Sequence, residues 1–61
     1  MKDKNDYLYM EKKGIKVYLY PSGIIEIKTI IDGYHAMQLY SIMDYSINDA
    51  LYMFKDYLKT I

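Results

Sequence analysis

The C-terminal stretch from Tyr45 to Ile61 constrains the fold most, because a helix start and a helical hydrophobic repeat coincide there. Ser46 suits the N-cap, where its hydroxyl can accept a hydrogen bond from an otherwise unpaired backbone amide. Asp49 follows three residues later, as in a capping box, and places negative charge near the positive end of the helix dipole. At about 100° per residue, one face collects the apolar side chains Ile47, Ala50, Leu51, Phe54, Leu58 and Ile61. The sequence therefore predicts one amphipathic helix whose apolar face needs a cover.

Two stretches upstream of this helix alternate between apolar and polar residues, which is typical of half-buried β-strands. They span residues 15–20 and 24–31 and are separated by Pro21-Ser22-Gly23, a sequence that favours a tight turn. Glu26 and Lys28 cannot be buried cheaply, so their neighbours on the second strand point inward. The predicted inward residues are Ile15, Val17, Leu19, Ile25, Ile27 and Ile31.

Asp32-Gly33 is a strong signal for a two-residue hairpin turn and predicts a third strand over residues 34–40, with Met37 and Leu39 in the core. The composition of this segment conflicts with that prediction, because it lacks β-branched residues and contains good helix formers. Apolar residues also recur there at helical spacing. The alternative fold is therefore a β-hairpin followed by two helices. We favour the strand, because two strands alone cover a helix poorly.

A further short edge strand is predicted at residues 7–10, with Leu8 and Met10 inward, before a turn over residues 11–14. Residues 1–6 are charged and are expected to be frayed. The predicted fold class is α+β: an antiparallel meander of three to four strands with one C-terminal amphipathic helix packed on one face. Residues 1–61 form a single mini-domain.

Composition limits the classes of function. The chain has 61 residues, no cysteine, a formal net charge of zero and a hydrophobic fraction of 52%. Such a small chain needs a dense core, self-association or both. It contains no arginine, no run of like charge and no apolar segment long enough to span a bilayer. We expect a cytoplasmic protein, with self-association as one route to stability.

Catalytic chemistry has little support in the sequence. Histidine is the residue type whose ordinary pKa lies nearest neutral pH. His35 is the single copy in the chain, and Asp32 is its nearest acidic neighbour. A single histidine beside a turn is more often solvated or hydrogen-bonded than catalytic. The serines and threonines lack the flanking glycines or adjacent base that a nucleophile requires. We expect no enzymatic activity, no cofactor and no metal.

Tyrosine is the unusual component, with nine copies in the chain. An AT-rich coding sequence is one explanation. A contact surface is the other, since tyrosine offers a large contact area at low entropic cost. The candidate protein-contact residues are Tyr18, Tyr20, Tyr34, Tyr40 and Tyr52, with Tyr34 and Tyr40 expected to join Tyr18 and Tyr20 on the exposed sheet face. The alternative is a mini-domain that binds single-stranded nucleic acid by stacking bases on these rings, although the few lysines make nucleic-acid binding a weaker prediction.

The C-terminal half resembles the ending of many very small proteins of phages and other mobile elements. Their pattern is a tyrosine, then Ser or Thr, an acidic residue three positions later, Ala and finally Phe, matched here by Tyr45, Ser46, Asp49, Ala50 and Phe54. The segment between Tyr40 and Tyr45 is longer than in that pattern, and the usual basic residues after the cap are missing. The resemblance implies an accessory protein that binds a host protein, in the class of anti-defence and anti-CRISPR inhibitors.

Overall fold

The computed structural model describes residues 8–61, which form a four-stranded antiparallel sheet and one helix. The elements are β1 (Leu8–Lys12), β2 (Ile15–Leu19), β3 (Ile24–Ile31), β4 (Tyr34–Ser41) and α1 (Ile47–Leu58). Neighbouring strands in the sheet are also neighbours in sequence, in the order β1-β2-β3-β4. The predicted α+β meander with a C-terminal helix is confirmed, and the alternative with two helices is wrong. The prediction of frayed residues 1–6 lies outside the described residues, as does Tyr7.

Two of the three hairpins close through two-residue turns in which both residues have positive φ. The angles are 53° and 83° at Lys13 and Gly14, and 50° and 81° at Asp32 and Gly33. Such turns follow the right-handed twist of the flanking strands. The predicted four-residue turn over residues 11–14 is therefore wrong, because β1 continues to Lys12 before the chain reverses.

The hairpin between β2 and β3 uses the turn expected from its Pro-Ser-Gly sequence. The Gly23 amide donates to the Tyr20 carbonyl over 2.9 Å, and the Tyr20 amide donates to the Ile24 carbonyl over 3.0 Å. Gly23 has a φ of 92°, the left-handed conformation of the bulge that follows a type I turn. This turn aligns Leu19 opposite Ile25 and so fixes the register of β2 on β3.

Helix α1 starts as the sequence predicts and ends earlier. The Ser46 hydroxyl accepts a hydrogen bond from the Asp49 amide over 3.1 Å. After Leu58 the amides of Lys59 and Thr60 donate to carbonyls three residues back, a 3₁₀-type pattern that ends the α-helix. Ile61 is 55% exposed, so its predicted place on the apolar face is wrong. Over residues 8–61, no helix is both long and apolar enough to cross a membrane.

The core lies between the helix and one face of the sheet. Its largest member is Phe54, which is fully buried. The helix approaches β3 and β4, whereas every residue of β1 is exposed. The buried residues are Val17, Ile25, Ile27, Ala36, Ala50 and Phe54. Val17, Ile25, Ile27, Ala50 and Phe54 lie on the faces that the sequence pattern predicted as inward.

The placement of Met37 and Leu39 in the core is wrong. The two-residue turn pairs Ile31 with Tyr34, and the same register pairs Thr29 with Ala36. Directly opposed residues share a sheet face, so the even-numbered residues of β4 face the helix. Met37 and Leu39 therefore lie on the opposite face, where they are 47% and 57% exposed.

Candidate binding surface

The sheet face opposite the helix, here called the outer face, carries most of the exposed apolar and aromatic side chains of β1–β4. Strand alternation and register determine its membership, because directly opposed residues lie on the same side of the sheet. Tyr20, just past β2, joins it through its ring and hydroxyl contacts. The outer face comprises Tyr9, Glu11, Lys16, Tyr18, Tyr20, Ile24, Glu26, Lys28, Ile30, His35, Met37, Leu39 and Ser41.

Three tyrosine rings form a continuous row on the outer face. Tyr9 and Tyr18 are directly opposed across β1 and β2, and their ring centroids are 4.9 Å apart. Tyr18 and Tyr20 lie two positions apart, and their rings stack at 6.3 Å with an interplanar angle of 13°. These separations are those at which aromatic pairs attract each other. We call Tyr9, Tyr18 and Tyr20 the tyrosine row.

Charged side chains hold the tyrosine row in place. The Tyr20 hydroxyl donates to Glu26 Oε1 over 2.6 Å, and Glu26 Oε2 lies 3.8 Å from Lys28 Nζ. Lys28 Nζ also lies 5.1 Å from the centroid of the Tyr18 ring, a cation–π distance. At the far end, the Tyr9 hydroxyl donates to Glu11 over 3.1 Å. An exposed ion pair contributes little stability, and we expect this network to act mainly by restricting the rotamers of the rings.

Beside the tyrosine row lies an uncovered apolar area formed by β3 and β4. Ile30 is 61% exposed, Met37 lies diagonally across from it on β4, and Leu39 lies two positions further along the same strand. Single exposed apolar residues are normal, whereas several on one face mark an interaction site.

No family model, no curated protein and no solved structure matches this chain.

A shallow hollow of about 330 Å³ lies at the end of the outer face near the Lys13–Gly14 turn. His35 lies directly opposite Ile30 at its margin. Across residues 8–61, no group of three or more His, Asp or Glu side chains is placed to hold a metal ion. The hollow is lined by Gly14, Lys16, Lys28, Thr29, Ile30, His35 and Ala36.

The five tyrosines predicted as contacts do not share one surface. Tyr18 and Tyr20 lie on the outer face, as predicted. Tyr34 and Tyr40 do not, because the register of β4 turns them toward the helix side. Tyr52 is 72% exposed on α1, also on that side. The strand pattern placed Tyr9 and Ile30 outward without naming them as contacts. It missed Met37 and Leu39 as members of the outer face, although the Asp32-Gly33 turn already fixed the face of the β4 residues.

Tyr40 packs against the core instead of presenting its ring to a partner. Its ring meets that of Tyr45 edge to face, with centroids 5.6 Å apart. Burial raises the pKa of the Tyr40 phenol above its ordinary value, and the nearby Tyr45 and Tyr57 phenols raise it further. The folded protein therefore keeps this proton at a pH where the unfolded chain has begun to lose it.

Stability should decline in strongly alkaline solution because of Tyr40. The contribution of the protonated Tyr40 phenol to the free energy of unfolding is fully present below the unfolded pKa of about 10. It is lost as pH rises through the higher folded pKa. Urea unfolding between pH 7 and 11 should show this decline, and Tyr40→Phe should reduce it. An identical pH profile in the phenylalanine variant would contradict the assignment to Tyr40.

Proposed function

We propose that this protein is a non-enzymatic binding module that occupies the surface of another protein with its outer face. The observation that carries the proposal is the tyrosine row, held by Glu26 and Lys28 beside the uncovered residues Ile30, Met37 and Leu39. The row is the anchor, and the apolar residues of β3 and β4 complete the contact.

The fixed geometry of the rings favours binding. Interface energy is concentrated in a few residues, and tyrosine is enriched among them. Ordering flexible side chains opposes association, and rings that are already stacked and hydrogen-bonded lose less freedom. The outer face also carries charges of both signs, with the Glu26 carboxylate near the Lys28 ammonium. Both charges lie on β3, between the tyrosine row on one side and Met37 and Leu39 on the other, so their mutual pairing lowers the cost of covering them with a partner.

The proposed partner is a host protein that the chain inhibits by blocking its surface. The resemblance of the C-terminal half to small phage and mobile-element proteins supports a role as an accessory, anti-defence or anti-CRISPR-like inhibitor in the host cytoplasm. The outer face supports inhibition by occupation, because its exposed groups are aromatic, apolar and paired charges.

Binding of single-stranded nucleic acid is the second candidate function. Lys16 and Lys28 line the hollow next to Tyr18, an arrangement of cations beside a ring on which bases can stack. The Glu11 and Glu26 carboxylates lie on the same face and would repel the negative charges of a phosphate backbone. Retention on single-stranded DNA and RNA columns at low and moderate salt tests this function. Absence of retention at low salt excludes it.

The test of the protein-binding proposal begins with affinity capture from a bacterial lysate, followed by measurement of Kd for the captured protein. Tyr18→Ala should raise Kd at least tenfold, about 1.4 kcal/mol, because it removes the central ring of the row. The matched control is Tyr52→Ala, which removes an equally large ring from the helix side and should leave Kd unchanged. Circular dichroism of each variant establishes that it is folded.

A second outer-face variant keeps the test decisive if Tyr18→Ala fails to fold. Ile30→Asp places a charge on a 61% exposed position away from the row and should also raise Kd at least tenfold. Folded outer-face variants that bind like the wild type, or a loss of binding confined to Tyr52→Ala, would refute the outer face as the binding surface.

A further inference from the structure

The two edge strands of the sheet differ in how well they resist pairing with another strand. β1 has five residues, two of them charged, whereas β4 has eight and contains no Lys, Asp, Glu, Gly or Pro. In residues 8–61, no strand pairs with the outer edge of β4. Natural sheets usually protect such edges with short strands, charges, prolines or bulges. β4 has none of these protections.

The turn at Asp32-Gly33 determines which groups of β4 are available at this edge. Pairs in an antiparallel ladder alternate between hydrogen-bonded and non-hydrogen-bonded. A two-residue turn makes Ile31 and Tyr34 a hydrogen-bonded pair, so the next residue, His35, belongs to a non-hydrogen-bonded pair. The N–H and C=O groups of His35, Met37 and Leu39 therefore point away from β3, toward open space.

We propose that β4 pairs antiparallel with β4 of a second copy of this chain, joining two sheets into one of eight strands around a twofold axis. Centring the pair on Gln38 places Met37 opposite Leu39 of the second copy. It also places the side-chain amides of the two Gln38 residues opposite each other, where they can hydrogen-bond. The outward-pointing backbone groups of each copy then find partners on the other.

The absence of Lys, Asp and Glu from β4 favours a second copy as the occupant. A twofold axis repeats the same strand against itself, so any charged residue near the axis would face its own copy, and like charges directly opposite are destabilising. β4 has no Lys, Asp or Glu to cause this repulsion. Pairing also brings the exposed Met37 and Leu39 side chains of both copies together on one continuous outer face. The pairing uses the sheet edge and leaves the tyrosine row open, so it does not depend on the proposed function.

Sedimentation equilibrium of the full chain across a wide concentration range tests this pairing. The wild type should show a monomer–dimer equilibrium, and Met37→Pro should raise the dimer Kd at least tenfold. Proline removes an outward-pointing amide and is tolerated at such edge positions. The matched control is Glu11→Pro on β1, whose amide also points outward by the same alternation. It should leave the dimer Kd unchanged.

Gln38→Lys provides a second test that does not require proline. It places two ammonium groups opposite each other at the axis, so the dimer should weaken at low salt and recover at high salt. If circular dichroism shows that Met37→Pro is unfolded, the salt response of Gln38→Lys decides whether β4 pairs with β4. A wild type that is monomeric at every concentration, or a dimer that neither folded variant weakens, would overturn the proposal.

Discussion

Replacing Phe54 with alanine should unfold most of the protein at room temperature. Phe54 is fully buried at the centre of α1 and is the largest side chain in the core. Large-to-small replacements of buried phenylalanine destabilise proteins by about 3–5 kcal/mol. A core of this size supplies a net stability of only about 3–5 kcal/mol. The loss should therefore be comparable to the whole free energy of unfolding. Urea unfolding followed by circular dichroism measures the effect.

The matched control for Phe54→Ala is Tyr52→Ala. Tyr52 lies on the same helix two residues earlier and is 72% exposed. Its replacement by alanine removes a ring of similar size without opening a cavity, and should change the free energy of unfolding by less than about 0.5 kcal/mol. Equal effects of the two variants would mean that the helix is not held to the sheet by its buried face.

Replacing Ala50 with leucine should destabilise the protein, although leucine is apolar and forms helices well. Ala50 is fully buried in the same core as Phe54. Added methylene groups in a filled core force side chains or the backbone to move, at about 1–3 kcal/mol. Since Leu and Ala differ little in helix propensity, packing determines the sign. The urea midpoint of Ala50→Leu should fall well below that of the wild type.

Met53→Leu serves as the control for Ala50→Leu. Met53 lies on the same helix and is 41% exposed, so a change of shape there meets little resistance. Its midpoint should stay close to the wild-type value. A higher midpoint for Ala50→Leu would contradict the prediction, because it would show unfilled space between the helix and the sheet.

Much of this fold could be predicted because independent signals agreed. Alternation in β2 and β3, the Pro21-Ser22-Gly23 turn and the Asp32-Gly33 turn indicated the same hairpins. In α1 the Ser46 cap and the apolar face coincided. The limits of β1 were predicted less well, since Glu11 and Lys12 resemble turn residues although they continue the strand. The end of α1 was missed because the apolar repeat extends beyond the last α-helical hydrogen bond.

The candidate surface was predicted only in part, because two criteria conflicted on β4. Hydrophobicity assigned Met37 and Leu39 to the core, whereas the two-residue turn assigned their positions to the outer face. Register decided the outcome, since a shift of one residue would reverse every side chain of the strand. The cost is the exposure of Met37 and Leu39, and the benefit is that the small side chain of Ala36 lies beneath the helix. Tyr18 and Tyr20 were placed correctly because Glu26 and Lys28, which cannot be buried cheaply, indicated which face of the sheet is exposed.

The order of the strands also bears on how fast the chain reaches its native state. Each strand pairs with the strand next to it in sequence, so the hairpins require only short loops to close. Topologies dominated by such nearby pairings have low contact order and fold quickly. We expect the β2–β4 segment to form early. Docking of α1 can follow without waiting for β1, because the helix rests on β3 and β4.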